Sequence, residues 1–210
     1  MNQLANLTEA IIKGKLEDAT LITKQALDEG VEADRIISDY MITGMTEIGR
    51  RFEAGKAFVP DLLMAARAMK GSLEILKPYL EEGQSKRAGK VIIGTVKGDL
   101  HDIGKNLVAS MLEGSGFEVI NVGVDISAEK FVNYVKEHNP DIVCLSALLT
   151  TTMESMREVI DALKNEGLRD KVKIMIGGAP VSSKYAEEIG ADGYSDNANS
   201  AVALAKAILA

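Results

Sequence analysis

The sequence predicts an α + α/β chain: a four-helix bundle over residues 1–82, a linker over 83–89, and a parallel-sheet domain covered by helices over 90–210. Three observations predict it. Apolar residues in the first part recur three and four apart, the repeat of one helix face. The stretch Glu81–Lys90 (EEGQSKRAGK) has two glycines and, apart from Ala88, no apolar residue. Beyond it, short continuous apolar runs alternate with amphipathic ones, the pattern of strand–helix units.

The bundle rests on four stripes. Leu4, Leu7 and Ile11 form the first, which Gly14 interrupts. Leu16, Ala19, Ile22 and Ala26 continue to Gly30. A third runs through Ile37, Met41, Met45, Ile48 and Phe52, and a fourth through Leu62, Ala66, Met69, Leu73, Leu76 and Leu80. Each set shares one face of a 3.6-residue helix, and short connections between amphipathic helices make a bundle. Pro60 suits the first turn of the fourth helix, where no N–H is needed.

The strands after the linker read Lys90–Val96 (KVIIGTV), Phe117–Val122, Asp141–Ala147 and Lys171–Gly177, with a short one near Asp192–Ser195. Helical stretches lie near Gly104–Gly114, Ala128–His138, Thr152–Glu166 and Ser182–Ile189, and Asn197–Leu209 closes the chain. Near-continuous apolar strands are buried on both faces. Five such units imply a doubly wound sheet, flavodoxin-like (Rossmann-like) in strand order, with ligands bound beyond the carboxyl ends of the strands.

Composition narrows the function. At 210 residues, 46% hydrophobic and 26% charged, the chain suits one ordinary domain plus a smaller helical one. No apolar run is long enough for a membrane span. The start, MNQLANLTEA, lacks the basic and apolar parts of a secretory signal, so a cytoplasmic protein is expected. A net charge of −7 disfavours nucleic acid as a partner. The one cysteine, Cys144, reads as a small core residue of an apolar strand, and two histidines, His101 and His138, are too few for a self-contained zinc site.

The loop after the first strand, Lys97–Asn106 (KGDLHDIGKN), is the densest in polar groups. A phosphate loop would need four residues between its glycines and a hydroxyl after the lysine. Here five residues separate Gly98 from Gly104, and Asn106 follows Lys105. In a plain structural reading His101 is a surface histidine, and Asp99 and Asp102 cap a helix. In a third reading His101 is a metal ligand. A carboxylate two residues away, Asp99, can hold one imidazole nitrogen while the other faces a metal. One histidine cannot build a cage, but it can supply an axial position to a metal already held by a macrocycle.

Asp99-Leu100-His101-Asp102-Ile103-Gly104 matches the Asp-x-His-x-x-Gly signature of base-off, histidine-on cobalamin proteins. The string Gly98–Asn106 resembles the cobalamin module of methionine synthase and the corrinoid proteins of anaerobic methyl-transfer systems. Ser146-Ala147-Leu148 matches that family's Ser-x-Leu after the third strand, and Gly177-Gly178 its Gly-Gly after the fourth. The agreement in order and spacing covers most of residues 90–195. Gly55–Pro60 (GKAFVP) resembles a Gly-Lys-x-Phe-x-Pro stretch of the family's helical cap, from which an aromatic covers the upper face of the corrin. Phe58 is the matching position, and its plain reading is a core phenylalanine.

The resemblance implies a cobalamin (corrinoid) cofactor with His101 as the lower axial ligand of cobalt, supported by Asp99 and Thr152. Thr152 stands where methionine synthase has a serine that contacts the motif aspartate. Gly98, Asp102, Ile103 and Gly104 complete the ligand loop. Leu148 belongs to the matched Ser-x-Leu; Ser146 and Thr150 can supply hydroxyls toward the cofactor's nucleotide tail, Gly177 and Gly178 leave room for it, and Gly94 either does the same or packs against a helix. In the family the cobalt shuttles between cob(I)alamin and methylcob(III)alamin. Ser and Thr at these positions could also simply cap a helix.

A methyl carrier is the favoured function. With no length left for a (β/α)8 barrel, it would work with separate methyl-donor and methyl-acceptor methyltransferases of that fold and with a reductive activator. Methylamines, methanol, betaines or methoxylated aromatics are the implied donors. The alternatives are a cobalamin-dependent sensor or the cobalamin-binding subunit of an isomerase. A phospho-receiver domain is rejected, because it needs an aspartate where this chain has Ser146-Ala147-Leu148.

Overall fold

The computed structural model describes residues 2–79 and 88–210, which fall into two compact units, an N-terminal helical one and a C-terminal α/β one. Leu80 of the fourth stripe and residues 83–87 of the expected linker lie outside the described residues.

In the helical unit, α1 (Asn2–Ile12) packs against α2 (Leu16–Asp28), α4 (Ile42–Glu53) and α5 (Val59–Leu76), and α2 runs along α5. A short α3 (Ala33–Arg35) leads into a π-helical stretch, Ile36–Met41, that continues into α4. Leu7, Ile11, Ala19, Ala26, Met41, Met45, Ile48, Leu62, Ala66, Met69 and Leu76 are buried as the stripes require. Leu4, Leu16, Ile22, Phe52 and Leu73 of the stripes are only partly buried, and so is Ile37. Ile36 is fully buried and Ile37 only half-buried. The N–H of Ile42 donates to the carbonyl of Ile37, five residues back, so the π turn holds one residue more than the α repeat and rotates the face ahead of Met41. Pro60 is the second residue of α5, as its missing N–H demands.

The α/β unit is a five-stranded parallel sheet in the order β2-β1-β3-β4-β5. The strands are β1 (Lys90–Val96), β2 (Glu118–Ile126), β3 (Ile142–Ser146), β4 (Lys173–Gly177) and β5 (Gly193–Ser195). The helices between and after them are α6 (Ile103–Glu113), α7 (Ala128–His138), α8 (Glu154–Asn165), α9 (Ser183–Ile189) and α10 (Ala198–Leu209). Nearly every residue of β1, β3 and β4 is buried, including Cys144, whose thiol is pushed up to about 12 by burial. Ser127, Ser182 and Asn197 cap α7, α9 and α10 through their side-chain oxygens. The strand order reverses between β1 and β3, so the crevice of the fold opens at their carboxyl ends.

β2 runs four residues past the expected Val122 and carries two register shifts against β1, beside Gly94. Gly94 stands where a Cβ would meet the side chains of Val122 and Phe131, the latter fully buried on α7, so its bare backbone accommodates the core. We expect Gly94→Ala to lower stability by about 1–3 kcal/mol through overpacking, read from urea denaturation, and to do so less in a background where Phe131 is shortened to leucine.

Candidate functional site

β1 and β3 deliver two loops to the crevice, and one carboxylate ties them together. Asp99 is fully buried. Its Oδ1 accepts from the backbone N–H of His101 at 3.0 Å and lies 2.7 Å from His101 Nδ1. Its Oδ2 accepts from the N–H of Leu148 at 2.7 Å, the N–H of Leu149 at 3.2 Å and the hydroxyl of Thr152 at 2.8 Å. Burial by itself would raise the carboxyl's pKa. The donors from His101, Leu148 and Thr152 outweigh it and hold Asp99 far below the usual carboxylate range. An ionised carboxylate only accepts, so Nδ1 of His101 is the donor in this contact, and Nε2 is the ring nitrogen that Asp99 leaves unengaged. The His101 side chain is 51% exposed.

The backbone around this pair is equally constrained. Gly98 has φ +82°, a conformation that residues with a Cβ rarely adopt, and its N–H donates to Asp125 at 2.8 Å. Thr95, buried in β1, donates its hydroxyl to the carbonyl of His101 at 2.9 Å. After β4, a Cβ at Gly178 would run into the carbonyl of Ala147, so only glycine lets the two chain segments approach this closely. The N–H of Ala147 in turn donates to the carbonyl of Gly177 at 3.2 Å. Thr95, Ser146, Gly177 and Ser195 stand in one row across β1, β3, β4 and β5.

The structure thus unites Asp99, His101, Leu148 and Thr152, with Gly98 beside them. The threonine reaches the carboxylate, the contact that the resemblance assigns to a serine hydroxyl. Ser146, Gly177 and Gly178 line the same strand ends. Thr150 is exposed at the start of a 3-10 turn and leaves the carboxylate to Thr152. Asp102 accepts from the side-chain amide of Asn106 at 2.9 Å. Phe58 belongs to the helical unit. It is 69% exposed at the start of α5, its N–H donating to Asp61, so it is no core residue of the bundle.

Four large apolar side chains on the two joined loops face solvent: Leu100, Ile103, Leu148 and Leu149, with Ile103 at 88% exposure. Gly104, in the first turn of α6, has open space where its Cβ would stand. A helical glycine costs about 1 kcal/mol relative to alanine, and no described residue crowds the position so as to require one there. An apolar, uncrowded surface around one presented nitrogen fits a flat group arriving with its own metal. Among the described residues, no three His, Cys, Asp or Glu side chains gather to hold an ion.

Sequence reading missed Thr95, Lys105, Asn106, Asn121, Asp125, Leu149 and Ser195. Lys105 is buried, with its ammonium 2.6 Å from Asn121 Oδ1 and 3.3 Å from the carbonyl of Gly123; burial lowers its pKa and Asp102 opposes this. Asn121 donates to Asn106 at 2.9 Å. The available signals were a threonine in an aliphatic strand and a lysine one residue past the motif glycine.

Comparison with known proteins decides the family. Residues 89–203 match a B12 binding domain, and residues 3–77 match a second family also described as a B12 binding domain. The chain belongs to the B12-binding corrinoid proteins. Its cofactor is a corrinoid. A dimethylamine corrinoid protein of Methanosarcina barkeri is 46% identical over 99% of this chain and 97% of its own length. The trimethylamine corrinoid protein 2 of Methanosarcina mazei is 44% identical over 98% and 95%. Among solved structures, a cobalamin-binding protein from Desulfitobacterium hafniense superposes with TM-score 0.83 at 37% identity, covering 99% of this chain and 98% of that one. The methanol:cobalamin methyltransferase complex of Methanosarcina barkeri gives 0.86 at 30% identity, covering 99% and 80%. No described helix is long and apolar enough to cross a membrane.

Asp99 supplies a pH test. Its folded pKa is depressed, so its contribution to stability is complete above the ordinary aspartate pKa of about 4 and is lost as pH falls below that value. The stability advantage of wild type over Asp99→Asn should shrink as pH falls below about 4 in urea titrations. Thr152→Val, which removes one donor to a buried charge, should destabilise at neutral pH by about 1.5–3 kcal/mol.

Proposed function

We propose that this corrinoid protein is a methyl carrier that holds cobalamin base-off with Nε2 of His101 on the cobalt. The observation that carries the reading is the buried Asp99 carboxylate, which fixes the His101 tautomer and leaves Nε2 as the free lone pair. When bound, the corrinoid supplies a cobalt centre able to accept and give up a methyl group. The protein's own part is positional. Asp99 and Thr152 hold the imidazole and can keep its Nδ1 proton in place whether or not Nε2 is engaged. Leu100, Ile103 and Leu148 offer apolar surface to the corrin, and Gly104 permits close approach. The row of Ser146, Gly177 and Ser195, with Gly178, offers hydroxyls and bare backbone to the nucleotide tail.

The names of the relatives point to methylamines, dimethylamine or trimethylamine first, as the donor class. The chain would work with separate methyltransferases, of (β/α)8-barrel fold, and with a reductive activator that restores the low-valent cobalt. A carrier accounts for two B12-binding segments that together span most of the chain.

Reconstitution with hydroxocobalamin and reduction to Co(II) tests the ligand. Electron paramagnetic resonance should show hyperfine coupling to one nitrogen, altered by 15N-histidine labelling and absent in His101→Ala. An unaltered splitting in labelled protein refutes axial ligation by His101. Gly104→Ala should separate folding from binding, raising the stability of the cofactor-free chain by about 1 kcal/mol while weakening hydroxocobalamin affinity. Unchanged affinity would remove Gly104 from the cofactor site.

A further inference from the structure

β2 ends in a segment whose geometry the methyl-carrier reading does not use. Between Asn121 and Ile126 its pairing with β1 slips twice. Asp125 sits there with φ +54°, one of two described non-glycine residues in the left-handed region. Such a conformation disfavours a Cβ-bearing residue and persists where surrounding contacts impose it. The contacts here are two hydrogen bonds to the ligand loop. The N–H of Asp125 donates to the carbonyl of Asp99 at 3.1 Å, and Oδ1 of Asp125 accepts from the N–H of Gly98 at 2.8 Å. One residue therefore grips the backbone on both sides of Asp99, while the Asp99 carboxylate is gripped from the β3 side by Leu148, Leu149 and Thr152. The same stretch of β2 holds the far end of the loop, since Asn121 and Gly123 accept from Lys105 on α6.

We propose that Asp125 is a positioning residue for the axial ligand: by clamping Gly98 and Asp99 from the bulged end of β2, it fixes where Asp99, and through it the His101 imidazole, stands. His101 donates both its main-chain and its ring hydrogen bond to Asp99 Oδ1, so any slack in the Asp99 backbone passes directly to the ring. This inference rests on the reading of His101 as the cobalt ligand, and its test separates the two.

Three substitutions divide the role of Asp125 into parts. Asp125→Asn keeps a side-chain oxygen acceptor and tolerates positive φ. Asp125→Gly tolerates positive φ and removes the acceptor. Asp125→Ala removes the acceptor and disfavours the conformation. Each is loaded with hydroxocobalamin and reduced to Co(II). The ratio of imidazole-bound to unbound cobalt is then read from nitrogen hyperfine coupling and absorbance, beside the melting temperature of the cofactor-free chain. Wild type and Asp125→Asn should share one ratio. Asp125→Gly should lower it about 3- to 10-fold, the worth of one hydrogen bond, with a melting temperature close to that of Asp125→Asn. Asp125→Ala should lower it at least as far and melt earlier. If Asp125→Gly keeps the wild-type ratio while His101→Ala abolishes the coupling, the positioning role is wrong and the axial assignment stands. A ratio in Asp125→Asn as low as in Asp125→Gly also overturns it, because the acceptor would then not be the operative group. If wild type itself shows no histidine coupling, both fall together.

Discussion

Asp99 is a charge taken out of water, and the architecture of the α/β unit around the crevice follows from satisfying it. An isolated buried carboxylate would protonate or force local opening. This one accepts from five donors: two backbone N–H groups of the β3 loop, one hydroxyl, one backbone N–H and one ring N–H of His101. Those donors come from both sides of the sheet's reversal point. The carboxylate thereby closes the crevice between β1 and β3 at its base, and what it leaves open is the outward edge of one imidazole. On the proposed reading of His101, a functional nitrogen is presented because a structural charge had to be paired.

That arrangement explains why the surrounding glycines and hydroxyls differ in kind. Gly98 and Gly178 are needed by the chain itself, the first for its backbone conformation and the second for contact with the Ala147 carbonyl. Gly104 is not needed by the chain at all, and neither are the exposed side chains of Leu100 and Ile103. Thr152 serves the charge, donating to Asp99 while also meeting the carbonyl of Leu149 at 2.9 Å. Thr95 serves the backbone of His101. Residues explained from inside the fold sit beneath the imidazole, and those left unexplained by the fold sit beside and above it.

The part of this legible in sequence was the part with local period or fixed spacing. The helical stripes, the five apolar strands and the loop from Gly98 to Asn106 are all short-range patterns. Asp99 and His101 could be paired because only one residue separates them, and Thr152 through the motif the chain shares with its relatives. What escaped was long-range or off-period. The π turn shifted burial from Ile37 to Ile36, since one added residue in a turn leaves no mark on a 3.6-residue stripe. The last four residues of β2 include Gly123 and Asp125, which read as a strand's end, yet they pair onward through two slips of register. Asp125, Asn121 and Lys105 are brought together by that irregular edge, so no spacing rule could join them to the motif.

The same logic fixes what cofactor loading does to the chain. Beneath the ring, hydrogen bonds are satisfied and the backbone is held at Gly98, Asp99, His101 and Leu148. Beside it, the cofactor-free surface keeps two liabilities, a helix weakened by Gly104 and a cluster of water-exposed leucine and isoleucine side chains. Covering the cluster removes apolar surface from water, and a group seated over Gly104 gives that glycine a use. Because neither gain exists in the unfolded chain, binding at this surface adds its full free energy to folding, and the increment grows with the logarithm of free cofactor over its dissociation constant. On the proposed reading of His101, a rigid floor beneath an unfinished surface is a way for one chain to present a fixed ligand while leaving the completion of its fold to the group that the ligand receives.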